Sequence, residues 1–316
     1  MPGEVIGEAL GDLQAAVRGR VAAAEPIAPL TSLRLGGPAG IFVEAESEDD
    51  LLAVAHAQAR HRLPLLALGR GTNLLVSDRG FPGIVLRLGT GFEWIAGEGD
   101  VIEAGSATPL PRVANWAARR GLAGLEFATA IPATVGGGVR MNAGAHGASM
   151  ADVLDSARVC RLPERRIVTM AAAALRMHYR ETVLTQDDLV CSARFALSEQ
   201  ASAEILARMA GYRAHRAATQ PVEAPNAGSM FRNPEGDSAG RLIEAAGLKG
   251  RRVGGADVST KHANFFLAHP GATAQEVHDL LALVQRTVRE SIGVVLVPEI
   301  RIAGEFDRAE ALEVYR

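Results

Sequence analysis

Two glycine-rich stretches carry the strongest chemical signal in the chain. The first, Leu68-Gly69-Arg70-Gly71-Thr72-Asn73-Leu74-Leu75, follows a short apolar run, LPLLALG, that reads as a buried strand. Glycines at a strand end let several backbone N–H groups turn toward one point, which suits a pyrophosphate. Arg70 is the nearest cation, and Thr72 and Asn73 add side-chain donors. The spacing matches neither GxGxxG nor a P-loop, so neither usual phosphate fingerprint is written here. The second stretch, Ala130 to Gly147 (AIPATVGGGVRMNAGAHG), holds five glycines. Each loses more backbone entropy on folding than another residue would, and close approach of backbone to a ligand is the usual compensation. Two such clusters, about sixty residues apart, can grip the two phosphates of one dinucleotide.

Three single side chains also stand out. Ser229 follows Gly228 in a turn, Arg180 sits in HYRET between two strand-like runs, and Glu299 comes directly after Pro298 in an apolar segment. A carboxylate in that setting needs a partner or a task. By residue type alone the three also read as a turn serine, a surface ion-pair arginine and a solvated edge-strand glutamate.

The elements that must position these groups follow from periodicity. Residues 1–28 form a helical segment without assigned chemistry. From Ile41 the pattern becomes strand IFVEA, a helix capped by Ser47, and strand LPLLALG. Short strands at Ile84–Leu88 and Val101–Ala104 and a helix ending at Gly121 come next. Alternation from Ala157 to Leu197 predicts an antiparallel sheet. A long helix follows between Ala203 and Gln220. A smaller unit then begins: helix SAGRLIEAAG, a strand near Ala263–Leu267, helix TAQEVHDLLALVQRTVRESIG, and strand VVLVPEIRI. The expected domains are therefore 29–202 (subdomains 29–90 and 91–202) and 203–305, with a tail at 306–316.

Composition narrows the class. The chain has 316 residues, 48% hydrophobic, enough for a sizeable core. Its 33 basic and 36 acidic side chains nearly cancel, so the electrostatic footprint of a nucleic-acid binder is absent. Cys160 and Cys191 are the two cysteines, without zinc-ligand spacing, and are expected to be reduced packing residues. Neither an export signal nor an apolar run long enough to span a bilayer is evident, so the cytoplasm is the expected location. No metal site and no membrane partner are expected.

GRGTNLL followed by IPATVGG and MNAGAHG resembles the FAD-binding domain of the UDP-N-acetylenolpyruvoylglucosamine reductase (MurB) family. The resemblance continues in order through Tyr179-Arg180-Glu181-Thr182, AGSMFRNP from Ala227, LIEAAGLKG from Leu242, Lys261-His262-Ala263-Asn264-Phe265 and Pro298-Glu299-Ile300-Arg301. It implies an α+β fold: a vanillyl-alcohol-oxidase/PCMH-type two-part FAD-binding domain plus a smaller α+β substrate-binding domain. It also implies NADPH as reductant and a UDP-sugar enolpyruvyl ether as substrate; separately, a monomer is expected.

The implied cofactor-binding residues are Gly69, Arg70, Gly71, Thr72, Asn73 and Leu74 in the first cluster. In the second they are Ala130, Ile131, Thr134, Gly136, Gly137, Asn142, Ala143 and Gly144. Hydride addition to an enol ether leaves negative charge beside a carboxylate, which must be stabilised and then protonated. The resemblance assigns proton donation to Ser229 and stabilisation to Glu299 with Arg180. It assigns substrate contacts to Tyr179, Asn233 and Asn264. Ala130 and Ala133 replace usual glycines, and His146 replaces a usual tyrosine. The alternatives are another oxidoreductase on the same scaffold, such as a hydroxy-acid or alcohol oxidase, and a non-catalytic flavin-binding module.

Overall fold

The computed structural model describes residues 2–307 and divides into two compact units, neither of them one continuous stretch. The first unit comprises Met1–Ala24, Gly40–Gly69 and Pro82–His215; the second comprises Glu25–Ala39, Arg70–Phe81 and Arg216–Arg316. This corrects the expected contiguous division at residue 203. The cause is burial: Ile205 and Met209 of the long helix enter the first unit's core, whereas Leu33 and Leu75 enter the second's. Most of the expected 306–316 tail lies outside the described residues.

Helix α1 spans Pro2–Ala16 and α2 spans Glu48–His61. The Ser47 Oγ caps α2 by accepting from the Asp50 amide at 3.2 Å. Asp50 is fully buried, and its carboxylate accepts the amides of Arg18, Gly19 and Glu46 at 2.9, 3.3 and 2.8 Å. Those three donors are what make a buried acid tolerable. Leu51, Val54 and Ala55 of α2 pack on Ile41, Val43, Ile84 and Leu86 of a four-stranded sheet. Its order is Arg20–Ala23, Ala39–Ala45, Phe81–Leu88, Leu65–Leu68, with the last two strands parallel.

The alternation from 157 to 197 supplies three strands of a five-stranded antiparallel sheet. Its order is Arg166–Ala171, Leu154–Arg161, Asp188–Ala196, Val101–Gly105, Ile95–Glu98. Ala157, Val159, Ala193 and Phe195 face a core shared with α3 (Leu110–Ala118) and α4 (Val135–Arg140). Cys160, Leu162, Leu189 and Cys191 belong instead to the core of the four-stranded sheet. Both faces of this sheet are therefore buried, which joins the two halves of the first unit. The long helix α5, Ser202–Thr219, begins in this unit.

The second unit contains a three-stranded antiparallel sheet, Arg252–Val253, Ala256–Val258 and Phe266–Ala268, with α6 (Ala239–Ala245) and α7 (Ala274–Ile292). Helix α7 opens with a Thr273/Glu276 capping box and ends at Gly293 with φ 81°. Its Val277, Leu280, Leu281, Val284 and Val288 recur at helical spacing and are buried. The expected strand VVLVPEIRI is shorter in the structure: only Arg301–Ala303 is a strand, parallel to Leu74–Val76. Pro298 has no N–H to donate, and around it the chain makes only an isolated bridge to Phe231.

Candidate functional site

The first glycine loop leaves the Leu65–Leu68 strand. A Cβ on Gly69 would sit 3.1 Å from Thr134 Oγ1, so the first glycine stretch meets the second within the first unit. Gly71 belongs to the second unit and is obligatory there. Its φ is +60°, and a Cβ would fall 2.4 Å from the Leu30 carbonyl oxygen. The Gly71 carbonyl accepts both the amide and the hydroxyl of Ser32, at 3.1 and 3.2 Å. Among the described residues, the amides of Arg70, Gly71 and Thr72 meet no backbone carbonyl within hydrogen-bond distance. Arg70 itself is exposed, whereas Leu74 is buried and paired with Arg301.

The second stretch makes α4, whose N-cap Thr134 accepts the Gly137 amide through Oγ1 at 3.3 Å. The structure separates its glycines by function. A Cβ on Gly136 would fall 1.9 Å from Ser106 Oγ, and one on Gly138 would fall 2.9 Å from Leu110 Cδ1, so both serve close packing. At Gly137 a Cβ would meet only Thr134 Oγ1, at 3.5 Å, leaving open space beside the backbone. Within the first unit, this open glycine face at the start of α4 fits an FAD whose diphosphate lies against backbone. Ala130 and Ala133 keep negative φ, whereas Asn142 and His146 are left-handed, at 40° and 55°.

Asn142 is nearly buried and both ends of its amide are used: Nδ2 donates to the His178 carbonyl at 2.9 Å, and Oδ1 accepts from the Ala151 amide at 3.0 Å. It thus ties the second glycine stretch to the turn that bears Arg180. That turn is closed by reciprocal bonds between His178 and Glu181, with Tyr179 and Arg180 at its tip. Arg180 has φ 58°, lies 5.2 Å from the Tyr179 ring centre, and donates through Nη2 to the Gly144 carbonyl at 3.1 Å. Tyr179 is 52% exposed. Ala143 continues the glycine stretch, its amide bonded to the Gly138 carbonyl at 2.8 Å. Ile131 packs against the first unit's core.

Ser229 and Glu299 lie on adjoining segments of the second unit. Ser229 bridges Phe265, Phe231 bridges Pro298, and the Glu299 amide donates to the Met230 carbonyl at 2.8 Å. Asn264 holds this arrangement in place: Oδ1 accepts from the Phe231 amide at 2.9 Å and Nδ2 donates to its carbonyl at 2.8 Å. With its amide so engaged and 2% exposed, Asn264 holds the backbone two residues after Ser229. The Asn264 amide in turn meets His262 Nδ1 at 3.3 Å, and burial holds that imidazole below its ordinary range. Asn233 accepts from the Ala239 amide at 3.1 Å, beside Ser238, the N-cap of α6. Lys249 pairs with Glu244 at 2.8 Å. The sequence reading missed Asn73 as a support: its Nδ2 donates to the Glu299 carbonyl at 3.2 Å, and its carbonyl accepts the Arg301 amide.

Residues 39–170 match the family model of an FAD binding domain, so the fold defines a flavoprotein. Residues 220–303 match the model of the UDP-N-acetylenolpyruvoylglucosamine reductase C-terminal domain. A UDP-N-acetylenolpyruvoylglucosamine reductase 2 from Symbiobacterium thermophilum is 45% identical over 287 residues, covering 90% of this chain and 93% of the relative. A UDP-N-acetylenolpyruvoylglucosamine reductase from Acidiphilium cryptum is 44% identical over 91% of this chain and 93% of its own length. The crystal structure of the enzyme from Thermus caldophilus superposes with TM-score 0.78 at 36% identity, covering 91% of this chain and 99% of that one. The chain belongs to the UDP-N-acetylenolpyruvoylglucosamine reductase family.

Proposed function

We propose that this chain uses FAD and NADPH to reduce UDP-N-acetylglucosamine enolpyruvate to UDP-N-acetylmuramate, a step of peptidoglycan precursor synthesis. The observation that carries the reading is that the segments bearing Ser229 and Glu299 adjoin, joined by the Glu299 amide and Met230 carbonyl, in a chain whose relatives bear that enzyme's name.

Bound flavin supplies the hydride, replenished by NADPH. Addition of hydride to the terminal methylene carbon of the enolpyruvyl group leaves an electron pair on the ether-bearing carbon next to the carboxylate. The Ser229 hydroxyl holds the proton delivered there. Arg180 and Glu299 are each assigned to the developing charge. Arginine contributes a permanent fork, and a carboxyl group serves such charge when it carries a proton. A preorganised donor of this kind typically contributes about 3 kcal/mol, or roughly a hundredfold in rate. Asn233 and Tyr179 are assigned to the UDP-sugar, and Asn264 to the placement of Ser229.

No helix among the described residues is long and apolar enough to cross a membrane. A cytoplasmic monomer is part of the same proposal, and sizing chromatography tests its oligomeric half. The deciding experiment for function is optical. The purified protein with FAD is expected to show a flavin spectrum, bleach with NADPH, and recover on addition of UDP-N-acetylglucosamine enolpyruvate. A preparation that takes up no FAD, or a bleached one that stays bleached, rejects the reading. A flavin that remains attached after denaturation favours instead a covalently anchored oxidase.

A further inference from the structure

Gly144–Ala145 and Ala148–Ser149 form a small antiparallel hairpin with His146 and Gly147 at its tip. Both tip residues are left-handed, with φ 55° and 81°, as a two-residue hairpin turn requires. A non-glycine residue holds this conformation at some cost, which contacts outside the turn can offset. The His146 ring lies flat on Tyr212, with centroids 3.9 Å apart and planes 3° from parallel, and His215 meets its edge at 5.5 Å. Burial, aided by the neighbouring His215, holds His146 below the ordinary imidazole range, so the ring stacks uncharged at neutral pH.

Tyr212 is itself well fixed. Its helix, α5, is bolted to the first unit on either side of that ring. Arg208 donates through Nε and Nη2 to Glu126 Oε1, and Arg213 Nη1 donates to Thr129 Oγ1 at 2.9 Å. Met209, one turn before the ring, is fully buried. The opposite end of the hairpin carries the Gly144 carbonyl, which accepts from Arg180.

We propose that Tyr212 is a positioning residue for Arg180: by stacking on His146 it fixes the hairpin whose Gly144 carbonyl sets the guanidinium. The inference rests on the function proposed above, in which Arg180 acts after flavin reduction. Losing the stack therefore slows the second half-reaction and spares the first. The tyrosine hydroxyl has no part in it.

The test compares Tyr212→Ala, His146→Ala and Tyr212→Phe with the unaltered full-length protein carrying FAD. Bleaching by NADPH is expected within about twofold of normal in all three, while reoxidation by UDP-N-acetylglucosamine enolpyruvate slows about tenfold or more in the two alanine variants and stays normal in Tyr212→Phe. In flavin-free protein, amide hydrogen exchange across residues 144–149 should accelerate in the alanine variants alone. Normal reoxidation in His146→Ala, or equal slowing in Tyr212→Phe, overturns the proposal. His146→Ala decides the matter if Tyr212→Ala fails to fold. Should the unaltered protein itself neither bind FAD nor be reoxidised, the functional reading falls, and the exchange measurement still judges the link from Tyr212 to the hairpin.

Discussion

Asn73 donates its side-chain amide to the backbone carbonyl of Glu299, 226 residues further along the chain. A residue of the first glycine loop thereby sets the residue on which charge stabilisation is proposed to depend. Asn73→Ala removes the bond, a change worth about 1 kcal/mol for a typical hydrogen bond, or roughly fivefold in an equilibrium or rate. Steady-state kinetics should show kcat for the sugar substrate falling by about that factor with FAD still bound. An unchanged kcat would separate Asn73 from the placement of Glu299.

Ser229→Ala deletes one oxygen on a segment pinned by Asn264 and Met230, so the fold should persist. FAD uptake and bleaching by NADPH are expected to be normal. Single-turnover reoxidation by the enolpyruvyl substrate should slow by at least about a hundredfold, the scale of general acid catalysis. Reoxidation at the normal rate would remove Ser229 from its proposed role.

Two glycines should respond in opposite ways. Gly71→Ala forces a Cβ against the Leu30 carbonyl in a left-handed conformation, and the conformation alone costs about 1–2 kcal/mol before the overlap is counted. The melting temperature should drop accordingly. Gly137→Ala meets open space inside a helix and should leave stability equal or raised by about 0.5–1 kcal/mol. Titration with FAD should nevertheless reveal weaker binding in Gly137→Ala. Unimpaired affinity would show that its open face is not part of the cradle.

Burial pushes the Cys191 thiol up to about 12 and the Cys160 thiol up to about 11. An unfolded thiol ionises near 8.5, so above that pH the unfolded chain holds fewer protons than the folded one and stability falls as pH rises. Each thiol adds about a tenfold shift toward unfolding per pH unit in that window. Urea midpoints measured from pH 8 to 10 should decline, and Cys191→Val should make the decline shallower. Neither thiol of the native protein should react with an alkylating reagent at pH 8. Rapid labelling would contradict the burial.

Periodicity was enough to read the elements that build the scaffold. Ser47 caps α2, the 157–197 alternation is an antiparallel sheet, and the apolar spacing of Val277 to Val288 gives α7. Local pattern could not tell that residues 25–39 and 70–81 belong with the C-terminal unit, because that choice depends on where Leu33 and Leu75 find a core. Nor could it divide the glycine run, since Gly136 and Gly137 differ only in what lies across from them, Ser106 or open space. Asn264 shows the same limit: an asparagine spent on the Phe231 backbone and one facing a ligand look alike in sequence. The Tyr212–His146 stack joins positions with no shared period.

The parallel pairing of Arg301–Ala303 with Leu74–Val76 bears on how the protein is made. Residues 70–81 leave the ribosome well before their partner strand, which lies 227 residues further along the chain. Until then an apolar segment waits with unpaired ladder groups, a setting for slow, nonlocal assembly and for aggregation during overexpression. Stop codons that remove Arg301–Ala303 should therefore abolish the folding of the second unit even though most of its residues have been translated.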